Sequence, residues 1–121
     1  MLDSALHQKR PLCLASSSPR RRNFLQLFGL DFRTLSPDID ETQQDGEEII
    51  PFVNRMAAEK ARQVHLQTHD LEQGTVILAG DTIVLLDKTV LGKPSDPEDA
   101  CSMLRLLSGK THSVYTTFAM L

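Results

Sequence analysis

The chain has 121 residues, 40% of them hydrophobic and 24% charged, and 13 Lys and Arg against 16 Asp and Glu give a formal net charge of −3. This composition fits one globular domain with a buried core and excludes collagen, coiled-coil, disulfide-rich and membrane-spanning proteins. The slight negative charge argues against nucleic-acid and anionic-membrane partners. Cys13 and Cys101 form no paired motif, so we expect reduced thiols and a cytoplasmic protein.

The first half of the chain predicts strand, helix, strand and a longer helix. Residues 1–10 are expected to form a flexible tail and residues 11–121 a single domain. After an apolar run at Pro11–Ala15, Ser18 can cap a helix that Gly29 should end. Apolar residues at helical spacing then predict the longer helix, which opens at Asp45–Glu48 or as late as Ile50.

The second half adds strands on either side of a third helix. Thr75–Ala79 predicts a buried strand, and Thr82–Leu86 is its continuation or a partner, with a bend or bulge at Gly80-Asp81. The remaining predicted elements are a short strand at Val90-Leu91, a helix from Asp96 to Leu107 and a strand from His112 to Leu121. This order indicates an α/β fold, with a mixed twisted sheet flanked by helices.

The segment from Ser16 to Arg22 combines a serine-rich turn with a helix start that carries three arginines. Backbone N–H groups, hydroxyls and the helix dipole favour an anion there, with Arg20 or Arg21 supplying the stronger contacts. Successive helical residues diverge by about 100°, so all three arginines cannot face one ligand, and Arg22 is expected to be solvated. A capped helix with arginines paired to nearby acids remains the alternative.

Carboxylates and lysines elsewhere could complete a phosphate site. Asp81 follows a buried strand, where acids commonly hold a divalent metal or position a water, although a solvated turn is the alternative. One member of the acidic cluster Asp38–Glu41 could share a metal with Asp81, or the cluster is a solvated loop. Lys60 alone would be an ordinary helix-surface residue, whereas Lys93 lies in a Gly-Lys-Pro loop suited to holding an ammonium near phosphate.

Taken in order, the motifs resemble the Maf family of nucleoside triphosphate pyrophosphatases, historically described as septum-formation inhibitors. The similarity covers nearly the whole chain from residue 11. The matching segments are Leu14–Arg21, Asp40-Glu41, Glu59–Ala61, Gly80–Thr82, Gly92–Pro94 and Leu107–Val114.

The resemblance implies a Maf/ITPase-like fold and hydrolysis of a nucleoside triphosphate to the monophosphate and pyrophosphate with Mg²⁺ or Mn²⁺. It makes Asp81 the general base and Glu41 its acidic partner, both as metal ligands. The implied substrate-binding residues are Ser16, Arg20, Arg21, Lys60, Lys93 and Thr82. Arg20 and Thr82 match the branch acting on dTTP and UTP rather than the 7-methyl-GTP branch.

Family members are considerably longer, so the resemblance implies an incomplete, N-terminal part of the fold. From this we expect weak or absent activity in the chain alone. We also expect a homodimer or an exchange of elements between copies, because an unpaired strand edge promotes association. The alternative function is a catalytically silent nucleotide-binding regulator linked to septum formation and cell division.

Overall fold

The computed structural model describes residues 7–121, which contain five strands and three helices. The strands are β1 Leu12–Ala15, β2 Arg33–Leu35, β3 Val76–Leu86, β4 Thr89–Leu91 and β5 Ser113–Met120. The helices are α1 Pro19–Leu27, α2 Ile49–Gln67 and α3 Pro97–Leu107. The long helix begins at Ile49, between the two starts expected for it at Asp45–Glu48 and Ile50.

All five strands form one mixed sheet around β3. β1 runs parallel to both β2 and β3, whereas β4 and β5 are antiparallel to β3. The order across the sheet is β2-β1-β3-β4, with β5 also paired to β3. The α/β class and the mixed sheet predicted from the sequence are confirmed.

β3 is one unbroken strand, so the bend or bulge expected at Gly80-Asp81 is wrong. Its pairing with β5 keeps one register from Leu78 opposite Met120 to Leu85 opposite Ser113. A glycine inside a strand marks either a bulge or a close approach of another group. The structure has the second case, because Arg21 and Phe118 both lie against Gly80.

One edge of β3 is left unpaired in its middle. β1 pairs with residues 76–79 of β3, and β4 pairs with residues 84–86 of β3. β5 pairs with residues 78–85 and so overlaps both of these segments. Because a strand has two edges, β1 and β4 must both lie on the edge opposite β5. Among residues 7–121, no strand pairs with residues 80–83 on that edge. Ile77 and Leu121 exchange both backbone hydrogen bonds at 2.9 Å, so the N–H and C=O groups of odd-numbered β3 residues point toward β5. Those of the even-numbered residues point to the opposite edge, where the gap lies.

The core lies between α2 and one face of the sheet. The apolar positions that predicted α2 are the ones it buries: Phe52, Val53, Met56, Ala57, Ala61 and Val64. The first three pack with Ile83 of β3, and Ala61 and Val64 pack with residues of β1 and β3. This helix–sheet contact fixes the position of every α2 side chain that reaches the candidate site.

The two shorter helices begin as the sequence predicts but bury no residue. Ser18 Oγ accepts a hydrogen bond from the Arg21 backbone N–H at 3.4 Å, and Gly29 ends the helix with a φ of +69°. Asp96 caps α3 by accepting from the Asp99 N–H at 2.7 Å. The caps therefore define where these helices start, while their apolar side chains remain largely exposed.

The tail predicted over residues 1–10 lies mostly outside the described residues. Within the described part, Gln8 donates to the Asp31 carbonyl at 2.7 Å and accepts from the Asp31 N–H at 2.8 Å. Between residues 7 and 121, no helix is both long enough and apolar enough to cross a bilayer.

Candidate functional site

The turn after β1 is organised by serine hydroxyls. Ser16 is 9% exposed, and its Oγ accepts a hydrogen bond from the Ser18 N–H at 3.0 Å. The turn borders an open polar groove of about 450 Å³. The groove is lined by Ser16, Ser17, Ser18, Pro19, Arg22, Asn23, Gln26, Thr34 and Ser36. Arg22, expected to be solvated, is exposed and lies along this groove.

Arg21 reaches from the start of α1 to the middle of β3. Its Nη2 donates to Thr82 Oγ1 at 2.9 Å, and that oxygen lies 2.9 Å from Thr116 Oγ1 of β5. A Cβ on Gly80 would stand 3.1 Å from Arg21 Nε and 3.1 Å from Phe118 Cδ1. Gly80 thus provides the space in which the guanidinium lies against the strand.

Asp81 and Glu41 meet at one ammonium group. Lys60 Nζ is 2.9 Å from Asp81 Oδ1 and 2.9 Å from Glu41 Oε1. Asp81 is largely buried, whereas the Glu41 side chain is 61% exposed. Within residues 7–121, Asp81 Oδ2 has no hydrogen-bond partner, so one oxygen of the buried carboxylate remains available.

The loop that carries Glu41 is fastened to α2 at both ends. Gln63 hydrogen-bonds both the N–H and the carbonyl of Asp38. At the other end Arg55 Nη2 donates to the Thr42 carbonyl at 3.0 Å. Because α2 is packed on the sheet, these bonds hold Glu41 next to Lys60 of the same helix.

Arg55 also forms the strongest ion pair of the loop. Its Nε lies 2.7 Å from Glu47 Oε2, and its Nη1 lies 3.1 Å from Glu59 Oε1. The Arg55 hydrogen bonds lower the pKa of Glu47 to about 2, and the same contacts raise the pKa of Arg55. In the same loop, the hydroxyl of Thr42 lowers the pKa of Asp40.

The Asp81–Lys60–Glu41 cluster and the Arg21 side chain approach β3 from opposite faces. Asp81 contacts Lys60 on α2, while its neighbour Thr82 contacts Arg21 on α1. Since successive strand residues point to opposite faces, the carboxylates and the arginine are separated by the sheet itself. Both converge on the segment of β3 whose edge is unpaired.

Five of the eight predicted site residues are joined by hydrogen bonds or ion pairs at this segment of β3: Glu41, Asp81, Lys60, Arg21 and Thr82. Ser16 follows β1, which pairs with the preceding residues of β3. Within the described residues, neither the Arg20 nor the Lys93 side chain has a hydrogen-bond or ion-pair partner, and both are exposed. The structure therefore links Asp81 to Lys60 rather than to Arg20 or Lys93.

A divalent ion would find two protein carboxylates here. Between residues 7 and 121, no group of three or more His, Cys, Asp or Glu residues could hold a metal ion. Mg²⁺, however, is commonly held by one or two carboxylates together with substrate phosphates. Asp81 and Glu41, which already share one cation, fit that arrangement.

Sequence analysis missed Thr116 and Arg55. Thr116 becomes a neighbour of Thr82 through the β3–β5 register, and the intervening helix gives no sequence signal for that pairing. The Arg55–Glu47 contact spans eight residues across a helix start, outside the helical spacings that predict side-chain pairs.

A family model described as "Maf-like protein" matches residues 11–121, and the chain belongs to this family. Among curated relatives, a "dTTP/UTP pyrophosphatase" of Desulfotalea psychrophila is 47% identical over 112 residues, covering 93% of this chain and 55% of the relative. Proteins of the same name from Chlorobium phaeovibrioides and Shewanella oneidensis are 42% and 46% identical, covering 92% and 90% of this chain and 58% of each relative. The chain thus spans little more than half the length of these relatives.

Proposed function

We propose that this site hydrolyses a pyrimidine nucleoside triphosphate, of the dTTP or UTP type, to the monophosphate and pyrophosphate. Family membership and the names of the relatives support this proposal. The observation that carries it is the Asp81–Lys60–Glu41 cluster on one face of β3, with the Arg21–Thr82 contact on the other face at the next residue of the strand. Carboxylates and cationic groups that meet at one short segment of a strand suit a substrate that needs both metal ligands and phosphate ligands.

In this proposal Asp81 is the general base. Lys60 contacts Oδ1 in the ligand-free chain, and Oδ2 accepts a proton from the attacking water. Asp81 is largely buried within β3, which limits the orientations of its carboxylate and reduces the cost of aligning the water with phosphorus. Glu41 is its acidic partner and a ligand of the same metal.

The remaining residues bind the substrate. The cationic side chains neutralise the polyphosphate, and the Ser16 turn offers hydroxyl and backbone donors beside it. Thr82, which accepts a hydrogen bond from Arg21, is proposed to help select the nucleotide, as the resemblance to the dTTP and UTP branch implies. The proposed substrate-binding set is Ser16, Arg20, Arg21, Lys60, Lys93 and Thr82.

We assign Mg²⁺ or Mn²⁺ as the cofactor, held by Asp81 and Glu41 together with the substrate. When bound, the ion offsets charge on the phosphate oxygens and favours ionisation of a water. The protein's own part is to keep two carboxylates close together without a third ligand, which leaves coordination positions for phosphate and water.

The test is pyrophosphate release from each nucleoside triphosphate with Mg²⁺, for the chain and for Asp81→Asn. We expect Asp81→Asn to abolish release because the proton acceptor and one metal ligand are lost. Asp87→Asn is the matched control, since Asp87 lies in the exposed β3–β4 turn with a φ of +54°, which Asn tolerates.

Release of phosphate without pyrophosphate would contradict the proposed cleavage. Nucleotide binding without turnover in the wild type, with Asp81→Asn changing affinity alone, would favour the silent regulator instead.

We propose that the chain also self-associates and is weakly active or inactive by itself. Phe118 and Met120 on β5 are 63% and 75% exposed, which leaves an apolar strand face uncovered beside the site. Gel filtration should give a dimer, and Phe118→Lys should shift it toward monomer. A monomeric wild type with rapid turnover would contradict this proposal.

A cytoplasmic location is proposed from the cysteines. Cys13 is buried and Cys101 exposed, and both are free thiols. Burial raises the pKa of Cys13, which keeps this thiol protonated and unreactive. An unprotected thiol such as Cys101 suits a reducing compartment.

A further inference from the structure

Lys60 occupies the space between the two carboxylates assigned to the metal. Its Nζ is 2.9 Å from an oxygen of each, and its side chain is 15% exposed. An ammonium held this way partly offsets the cost of keeping the Asp81 carboxylate charged in a poorly solvated position. The carboxylate pair therefore has a resident cation before any ligand arrives.

The ammonium is also difficult to displace, because its helix cannot move away. The neighbouring α2 residues Ala57, Ala61 and Val64 are each no more than 4% exposed and pack on the sheet. A tethered cation acts at a high effective concentration, whereas a free divalent ion must compete from solution. A divalent ion that displaced the Lys60 ammonium would also be repelled by it, unless the ammonium moved to another anion.

We propose that Lys60 is a gatekeeping cation, which keeps free divalent ions from the Asp81–Glu41 pair until a polyphosphate draws its ammonium away. The inference rests on the proposed function, in which Lys60 binds phosphate and the carboxylates bind metal. The same lysine cannot serve fully as counter-ion to both carboxylates and to a phosphate chain. Phosphate binding thus frees the carboxylates as it supplies the metal's remaining ligands.

It follows that metal and nucleotide bind in a coupled order. The chain alone holds Mg²⁺ or Mn²⁺ weakly, and the ion enters with the triphosphate or after it. This coupling prevents metal from activating water at Asp81 when no substrate is present.

The first experiment measures Mn²⁺ binding to the nucleotide-free chain by calorimetry or electron paramagnetic resonance. Lys60→Gln removes the charge but keeps an amide that can donate to Asp81, and we expect it to bind Mn²⁺ at least about tenfold more tightly than the wild type. Lys60→Arg retains a cation and should remain as weak as the wild type. Lys88→Gln, in the exposed β3–β4 turn, is the matched control and should change nothing.

Equal Mn²⁺ affinity of the wild type and Lys60→Gln would overturn the proposal. The double variant Lys60→Gln with Asp81→Asn should lose the gained affinity. If the gain persists there, the metal assignment to Asp81 fails. If instead the gain is lost but the wild-type chain releases phosphate without pyrophosphate, the proposed reaction fails while the gate stands.

A second measurement does not depend on the folding of Lys60→Gln. Reductive ¹³C-methylation keeps lysine charge and gives each lysine a resonance, and the Lys60 signal is the one absent from Lys60→Arg. Inorganic tripolyphosphate without metal should shift this signal, and Mg²⁺ alone should not. A shift caused by Mg²⁺ alone, or none with tripolyphosphate, would overturn the proposal.

Discussion

The two faces of the sheet differ sharply in how they are covered. On one face, α2 buries Met56 and Ala57 to 1% exposure each. On the other, α1 leaves Phe24 and Leu27 63% and 68% exposed, although they lie at helical spacing in the second half of the helix. An amphipathic sequence therefore identifies the side of a helix that can be buried, but only the surrounding chain determines whether it is.

The candidate site spans this difference. Its carboxylates and Lys60 belong to the packed α2 face, whereas Arg21 and Thr82 belong to the sparsely covered one. Substitutions on the first face should act mainly on folding and metal chemistry. Those on the second should act mainly on how the substrate is held.

The largest expected effect is at the centre of the packed face. Met56→Ala removes a buried side chain that contacts Phe52, Val53 and Ile83, and should lower the free energy of unfolding by about 2–5 kcal/mol. Urea denaturation followed by circular dichroism measures the change. A loss below about 1 kcal/mol would mean that α2 does not dominate stability.

Gly80 lies in β3 next to Asp81, between the contacts of the two faces. Gly80→Ala should lower the free energy of unfolding by about 1–3 kcal/mol, because the added Cβ would be crowded. The added Cβ would stand 3.2 Å from the Thr117 carbonyl, which cannot swing aside, and 3.1 Å from Arg21 Nε. We expect weaker nucleotide binding as well, because the guanidinium must move. Gly92→Ala is the matched control, since a Cβ there meets nothing within 4 Å and should leave both properties nearly unchanged.

The loop on the packed face should give a specific acid dependence. The pKa of Glu47 is about 2 in the folded chain, against an ordinary value of 4.5. Its pairing with Arg55 therefore stabilises the fold fully at pH values above 4.5. That contribution is lost as the pH falls from about 4.5 to 2. Thermal unfolding across this range should show the loss in the wild type and in Glu48→Gln, whose exposed side chain serves as the control, but not in Glu47→Gln.

The smallest effect is expected on the open face. Phe24→Ser should change the free energy of unfolding by no more than about 0.5 kcal/mol, because the ring is already largely solvated. The denaturation assay used for Met56→Ala measures it. A loss comparable to that of Met56→Ala would show that α1 is packed in solution and would remove the contrast between the faces.

Local signals accounted for much of the fold. Ser18 and Asp96 predicted helix starts because a capping hydroxyl or carboxylate acts within three residues. The spacing of apolar residues predicted the buried side of α2 for the same local reason. The interruption expected at Gly80 was wrong because glycine also occurs where another group approaches a straight strand, and Arg21 is distant in sequence.

The site was predictable in membership more than in arrangement. Asp81 was singled out by its position after an apolar strand, and Glu41 by the resemblance to the Maf family; the structure brings both to Lys60. Their meeting at Lys60 depends on a loop fastened through Gln63 and Arg55, and no residue pattern near Glu41 encodes those contacts. Arg20 and Lys93 remain predictions from the sequence and from the family motifs.

The unpaired edge of β3 gives the site a component that no side chain supplies. Thr82 is an even-numbered residue in the gap between β1 and β4, and its peptide N–H and C=O have no hydrogen-bond partner on that edge within residues 7–121. These groups are held by the surrounding ladder yet left open to solvent or to a bound molecule. Main-chain groups keep their position when the side chain of their own residue is mutated, so the exposed N–H and C=O of residue 82 are retained in Thr82 variants.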